Sequence, residues 1–341
     1  MRVSRRDNIT SMIKKDSSAD LTAAADIGGT QIRAALVNRD GAILHETRGD
    51  STPERGIEDT AVRLAELIHE ATANAKGVVG LAVSTAGPLN PDTGTYDHPP
   101  NLTGWHGKTM KPDLERLTSL PTAIGHDATL AALAETKFGP FKNSQNLVYV
   151  TISTGIGGGI VANGQMVTGS TGQAGELGHI TVRTGPGALS CAVGCQGCFE
   201  GNASGPNIGK MARQAAQKAP RSAAKMIELA DGDIDDIDAR IAFLAAEQGD
   251  PVAEQVVRQV IENIGRGLAS ILAVLDPDGI VVGGGVVHSL ESRWDEVIDA
   301  VRTYGLPRYE TRGVPVSVTQ LGDDVSLIGA SVLSFNRFGQ R

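Results

Sequence analysis

At 341 residues, with 40% hydrophobic and 21% charged side chains, the chain has the length and composition of a soluble globular protein with two domains, each with its own core. A formal net charge of −8 argues against a protein that coats nucleic acid. No run approaches the roughly 18 apolar residues of a membrane span, and residues 1–20 mix Arg2, Arg5, Arg6, Lys14 and Lys15 with Asp7 and Asp16 where a secretory leader would carry an apolar core.

Those first residues read as an N-terminal tail. A strand is expected over Leu21–Ile27, then the turn Gly28-Gly29-Thr30, a second strand over Gln31–Val37, and a turn at 38–41 into a third strand, Ala42–Glu46. Apolar residues at Ile57, Ala61, Leu64, Leu67, Ile68 and Ala71 have helical spacing over 57–75, and Val78–Ser84 reads as a short buried strand. Strands interleaved with helices in this order predict a mixed sheet covered by helices.

A similar order returns later. Leu147–Ser153 is a strand, 154–159 a glycine turn, Ile160–Ala162 a second strand, and Asn163-Gly164 a hairpin turn into Gln165–Val167. Residues 215–250 read as a helical insertion. Val256–Leu275 presents one apolar face, and Ile280–Val282 is a strand stopped by Gly283-Gly284-Gly285. Two glycine-turned hairpins, one in each half, suggest two related lobes across a cleft.

Asp26 ends a strand beside residues with little side chain. Glycine lets backbone N–H groups approach an anion, Thr30 adds a hydroxyl, Arg33 follows, and Asp26 can hold Mg²⁺ through water; the alternative is an ordinary hairpin turn. A second glycine turn, Ser153–Gly159, makes a pair suited to a nucleoside triphosphate. Neither continues as the Gly-Lys-Ser/Thr of a P-loop, and neither opens a helix as a dinucleotide site does. Asp127 precedes the apolar run 130–138, so it is either a helix N-cap or a carboxylate that accepts a proton in phosphoryl transfer. The three cysteines, Cys191, Cys195 and Cys198, fall in one loop after His179. An odd clustered set is a poor disulfide framework and, with the imidazole, a tetrahedral Zn²⁺ set; the alternative is chance clustering of free thiols. Reduced thiols point to the cytoplasm. Glu200 follows, where a metal-fixed loop could aim it at a polyol.

From about Ala23 to about Ala330 these motifs, in this order, resemble the ROK family (repressors, open reading frames and sugar kinases), and within it the bacterial glucokinases. They are the 26–30 turn, Asn101-Leu102-Thr103-Gly104-Trp105, Asp127, 154–159, Glu176-Leu177-Gly178-His179, Gly197-Cys198-Phe199-Glu200 and 283–285. The resemblance implies an α/β, actin-like ATPase (ribonuclease-H-like) fold of two lobes with mixed sheets flanked by helices around a central cleft. It implies residues 21–126 with 320–341 as a small lobe, and 127–319 as a large lobe carrying the zinc loop and the insertion. Asp127 would be the base, and Gly87, Asn101, Glu176, His179 and Glu200 would meet the sugar. ATP-Mg²⁺ would lie against Asp26, Gly28, Gly29, Thr30, Arg33, Thr154, Gly155, Gly157, Gly158, Gly283, Gly284 and Gly285. His179 would serve both zinc and sugar, one ring nitrogen to each. A homodimer or homotetramer is implied.

The chain departs from the family pattern at four places. His126 and Thr129 replace asparagines around Asp127, Ser153 replaces a glycine, and Val193 stands where the middle cysteine usually does, with Cys195 two places later. The expected reaction is ATP-dependent phosphorylation of a hexose, glucose first. Fructose, mannose or an N-acetylhexosamine are alternatives, polyphosphate is an open alternative donor, and a sugar-sensing transcriptional regulator is the alternative of another class. The short stretch before Ala23 is too small for the DNA-binding domain a regulator needs.

Overall fold

The computed structural model describes residues 21–99 and 102–339. The expected tail at 1–20 and the expected sugar ligand Asn101 lie outside the described residues. The chain divides into two compact units: one runs to Gly139 and takes in Thr168–Ala174 and the chain from Asp323 onward, and the other comprises Pro140–Val167 and Gly175–Gly322.

In the first unit, β1 (Leu21–Ile27), β2 (Gln31–Asn38), β3 (Ile43–Asp50), β4 (Val78–Thr85) and β5 (Thr122–His126) form a sheet in the order β3-β2-β1-β4-β5. The first three strands pair antiparallel, while β4 and β5 join β1 in parallel. β1 is buried over most of its length, as its run of alanines requires of a strand covered on both faces. Its residues Ala23, Ala25 and Ile27 meet α1 (Ile57–Thr72), whose Ile57, Ala61, Leu64 and Ile68 form the expected apolar stripe. The opposite face carries Thr22, hydrogen-bonded to Ser334 on the C-terminal helix Val325–Phe338. α2 (Lys111–Thr118) packs beside α1, and α3 (Asp127–Phe138) packs against the C-terminal helix. This last contact carries α3 into the first unit, so the division falls at Gly139 where the sequence reading placed it at 126, and at Gly322 where that reading placed it at 319.

The second unit repeats the pattern. β6 (Leu147–Ile152), β7 (Ile156–Ala162), β8 (Gln165–Met166), β9 (Gly279–Gly283) and β10 (Val316–Val318) lie in the order β10-β9-β6-β7-β8, again three antiparallel strands extended by two parallel ones. The β7–β8 hairpin turns on Asn163 and Gly164, both left-handed at φ 51° and 74°, as a tight two-residue turn demands. β7 begins at Ile156, earlier than expected: Gly157 and Gly158 lie in the ladder opposite Thr151 and Val150 instead of in the turn. Leu177 and the Gly175 carbonyl crowd Gly158, leaving no room for a side chain there, so packing explains that glycine.

The helices of this unit include α4 (Phe199–Ala203), α5 (Gly205–Lys218), α6 (Ala239–Glu247), α7 (Pro251–Leu275) and α8 (Trp294–Tyr304), besides short ones at Ala224–Leu229, Gly285–His288 and Arg308–Arg312. The insertion at 215–250 is helical as expected. α7 starts at Pro251, five residues before the apolar stripe, because Asp250 caps it and proline suits the first helical position. Asp250 is buried and accepts the N–H groups of Val252 and Ala253, both at 2.9 Å, and of Met226 at 3.0 Å. Asp250→Ala would strand these three donors and is expected to destabilise the protein by about 2–3 kcal/mol. A lowered urea midpoint at unchanged slope is the signature; an unchanged midpoint would show that water replaces the carboxylate.

Candidate active site

In the first unit the candidate residues gather at the carboxyl ends of the parallel strands, where open α/β sheets present their ligand sites. Hairpin register sets Asp26 opposite Arg33, and parallel register sets it opposite Ser84. Asp26 Oδ2 lies 3.3 Å from Arg33 Nη2. Burial raises the Asp26 carboxyl above the ordinary aspartate range, Ser84 and Arg33 pull it back, and the charge of Asp127 pushes it up. The action of the Asp127 charge on Asp26 puts the two carboxylates near each other.

Arg33 itself is turned inward. Its Nη1 is 2.8 Å from Asp324 Oδ1, and its Nη2 also donates to the Asp323 carbonyl at 2.9 Å. Glu46 is a third carboxylate, at 3.7 Å. The guanidinium is thereby paired with protein carboxylates on both sides. Ser84 and Asp324 are the residues that sequence reasoning missed. Asp324 is 291 positions from Arg33, so no local signal joins them. Ser84 could have been read from the strand order alone.

The 28–30 turn is closed by Gly28 N–H donating to the Gln31 carbonyl at 2.9 Å. Nothing lies within 4 Å of where a Gly29 side chain would stand, which leaves the backbone open to an approaching anion. Asp127 is the first residue of α3, and His126 holds the N-cap position without a side-chain cap. The Asp127 carboxylate accepts the Ala128 N–H at 2.6 Å and stays 40% exposed. The carboxylate thus meets the first turn of its own helix with one oxygen and stays open to solvent. A side chain at Gly87 would stand 2.6 Å from His126 Cδ2, so this glycine makes room for the imidazole.

In the second unit β7 takes in Gly157 and Gly158, so the turn left at the end of β6 is Ser153-Thr154-Gly155. Glu200 Oε2 accepts the Ile156 N–H at 2.9 Å and would lie 2.8 Å from a Gly155 side chain. Only glycine lets this carboxylate sit against the turn. Gly283 ends β9, Gly284 has φ 99° and abuts the Ile152 backbone, and Gly285 opens onto free space.

His179 lies in a 3₁₀ turn at Leu177–His179, and its two ring nitrogens face different neighbours. Its Nδ1 is 3.8 Å from Cys191 Sγ, and its Nε2 is 3.6 Å from Glu176 Oε2. Donor atoms of His179, Cys191 and Cys195 all lie within 4.8 Å of one another. Cys198 Sγ accepts the Gly201 N–H and contacts the Cys195 carbonyl, each at 3.3 Å. Loss of water, then the neighbouring Cys191 sulfur, raise the Cys195 and Cys198 thiols. For His179, Cys191 and Cys195 the spacing fits ligands sharing one ion at Zn–S of about 2.3 Å and Zn–N of about 2.0–2.1 Å, whereas Cys198, the fourth expected ligand, is not in that group. Val193 is 56% exposed, whereas Cys195 enters the cluster.

The sequence model of the ROK family matches residues 22–337. A glucokinase of Streptomyces coelicolor is 35% identical over 323 residues, covering 92% of this chain and 97% of the relative. An N-acetylmannosamine kinase of Escherichia coli is 32% identical, covering 92% and 98%. The crystal structure of a ROK family glucokinase from Streptomyces griseus in complex with glucose and AMPPNP is similar at a TM-score of 0.76 and 33% identity, covering 92% and 98%.

Because the Asp26 value is raised on folding, its ionisation opposes folding as pH climbs from the ordinary aspartate range through the raised value. Asp26→Asn is therefore expected to match or exceed the wild-type melting temperature at neutral pH, with the difference vanishing below the ordinary aspartate range. A variant less stable than wild type at neutral pH would show that the Arg33 pair outweighs burial.

Proposed function

Because the chain belongs to the ROK family, we propose that it is an ATP-dependent hexose kinase that converts glucose to glucose 6-phosphate, with Asp127 as general base. The Asp127 carboxylate carries the reading: it is partly exposed at the head of α3, one oxygen is held by Ala128, and the chain is similar to glucokinases along nearly its whole length. In the reaction the sugar hydroxyl gives its proton to Asp127 as its oxygen bonds to the γ-phosphorus and the bond to ADP breaks. Little covalent help is needed, so positioning and charge stabilisation do most of the work.

The open backbone at Gly28, Gly29 and Thr30 would hold phosphate, as would the turn at Thr154 and Gly155; the backbone of Gly283, Gly284 and Gly285 would lie against the nucleoside. Asp26 fits a magnesium ion arriving with ATP and held through water: it is a hard oxygen donor whose buried charge a cation would relieve. Gly87, Asn101, Glu176, His179 and Glu200 would meet sugar hydroxyls. His179, Cys191, Cys195 and Cys198 would hold a zinc ion that fixes the loop ahead of Glu200. Among the described residues no helix is long and apolar enough to cross a membrane; the reading places the enzyme in the cytoplasm, as a homodimer or homotetramer.

A second reading, phosphorylation of an N-acetylated hexosamine, rests on the similarity to N-acetylmannosamine kinase. Coupled ADP release with ATP-Mg²⁺ against glucose, mannose, fructose, N-acetylglucosamine and N-acetylmannosamine separates the two. Turnover is expected with glucose, and Asp127→Ala should lower kcat by about 10³-fold while sparing sugar affinity. An equal loss of both would remove Asp127 as base, and silence across the panel would remove the kinase reading. Metal analysis of the purified protein is expected to find one zinc per chain, lost in Cys195→Ser and Cys191→Ser. Zinc retained in Cys195→Ser would exclude Cys195 from the ligand set.

A further inference from the structure

His126 is the position at which this chain replaces the family's asparagine, and its ring touches Asp127. Its Nε2 lies 3.4 Å from Asp127 Oδ1, the same oxygen that accepts the Ala128 N–H at 2.6 Å. We propose that His126 is a positioning residue for the proton-accepting carboxylate: it holds Oδ1 from the side opposite its own helix and leaves Oδ2 to the sugar hydroxyl. This rests on the kinase reading above.

The ring is well placed to act in this way. His126 closes β5, pairing in register with Thr85 of β4, so its backbone is fixed by the sheet. Its side chain is 27% exposed and lies over Gly87, where a Cβ would stand 2.6 Å from Cδ2 and 3.4 Å from Nε2. Sheet and glycine together define where the imidazole lies. Asp127 needs such a support, because the torsion that turns an aspartate carboxylate is broad and poorly defined by itself. Its own charge acts on Asp26, so a second carboxylate lies near it. The Ala128 N–H supplies one donor, and the second is assigned to an Nε2–H of His126, which stands 3.4 Å from the same oxygen. With Oδ1 so occupied, Oδ2 takes the proton of the sugar hydroxyl. The hydroxyl oxygen's electron pair forms the bond to the γ-phosphorus, and the electrons of the breaking bond leave with ADP. The proton then passes from Oδ2 to water.

Steady-state ADP release with the sugar that the wild type uses tests this, on His126→Leu, His126→Ala and His126→Gln. A glutamine places an amide N–H about as far from its Cα as the imidazole places Nε2. Leucine fills the space without a donor, and alanine removes the ring without overfilling the pocket beside Gly87. The expected result is a kcat lowered by about 10- to 100-fold in the leucine and alanine variants, the loss of one hydrogen bond to a charged group. The sugar KM should stay within about threefold, and glutamine should restore most of the rate. A raised KM at unchanged kcat would make His126 a sugar ligand and overturn the proposal. So would equal loss in the glutamine and alanine variants at unchanged melting temperature, or full activity in the alanine variant. A wild type that turns over no sugar overturns the kinase reading itself, and this inference with it.

Discussion

One guanidinium holds the first unit's site together. Arg33 brings a positive charge to a place where the side chains of Asp26, Glu46 and Asp324 converge, and it donates as well to the Asp323 carbonyl. A buried charge is tolerated only when paired and hydrogen-bonded, and here the pairing joins β1, β2 and β3 to the segment that begins the C-terminal helix. Without this cation, two neighbouring carboxylates, Asp26 and Asp127, would face each other in a site from which burial has removed much of the water. The geometry at the carboxyl ends of the strands therefore depends on a residue paired mainly with protein carboxylates.

The two sheets reach similar ends by the same topology. Each has three antiparallel strands extended by two parallel ones, and each offers a short exposed turn after its first strand. The turns differ in detail because their neighbours differ. In the first unit the 28–30 backbone is left open, whereas in the second Glu200 lies against Gly155 and binds the Ile156 N–H. A carboxylate so fixed is oriented by backbone, which explains why the loop before it is worth holding rigid.

That loop gathers two of its three cysteines beside the imidazole. Val193 points to solvent, and Cys195, two positions on, stands with His179 and Cys191. Glycines at Gly194 and Gly197, both left-handed at φ 93° and 71°, give the loop the reversals needed to present Cys195. The imidazole then faces sulfur with Nδ1 and Glu176 with Nε2, so one side chain touches both the thiol cluster and a candidate sugar ligand.

Much of this was written locally in the sequence. The strand cores, the stripe of α1, the Asn163-Gly164 turn and the glycine turn after Asp26 were legible because each follows from the periodicity or backbone freedom of adjacent residues. The start of α7 was legible too, in Asp250-Pro251, to a reader weighing caps as heavily as apolar spacing. Other features could not be read that way. Gly157 and Gly158 look like turn residues, yet β6 on one side and Leu177 above draw them into a strand. α3 belongs with the first unit because the C-terminal helix, far along the chain, supplies its partner. Nothing local to Arg33 announces its pairing with Asp324, 291 residues away. The sequence by itself determined which residues can bend, pair or ligate, since those are properties of single side chains and their neighbours. Only the tertiary structure decided which of them remain available, because a charge or a hydrogen-bond donor is committed by whatever partner folding brings within about 3 Å.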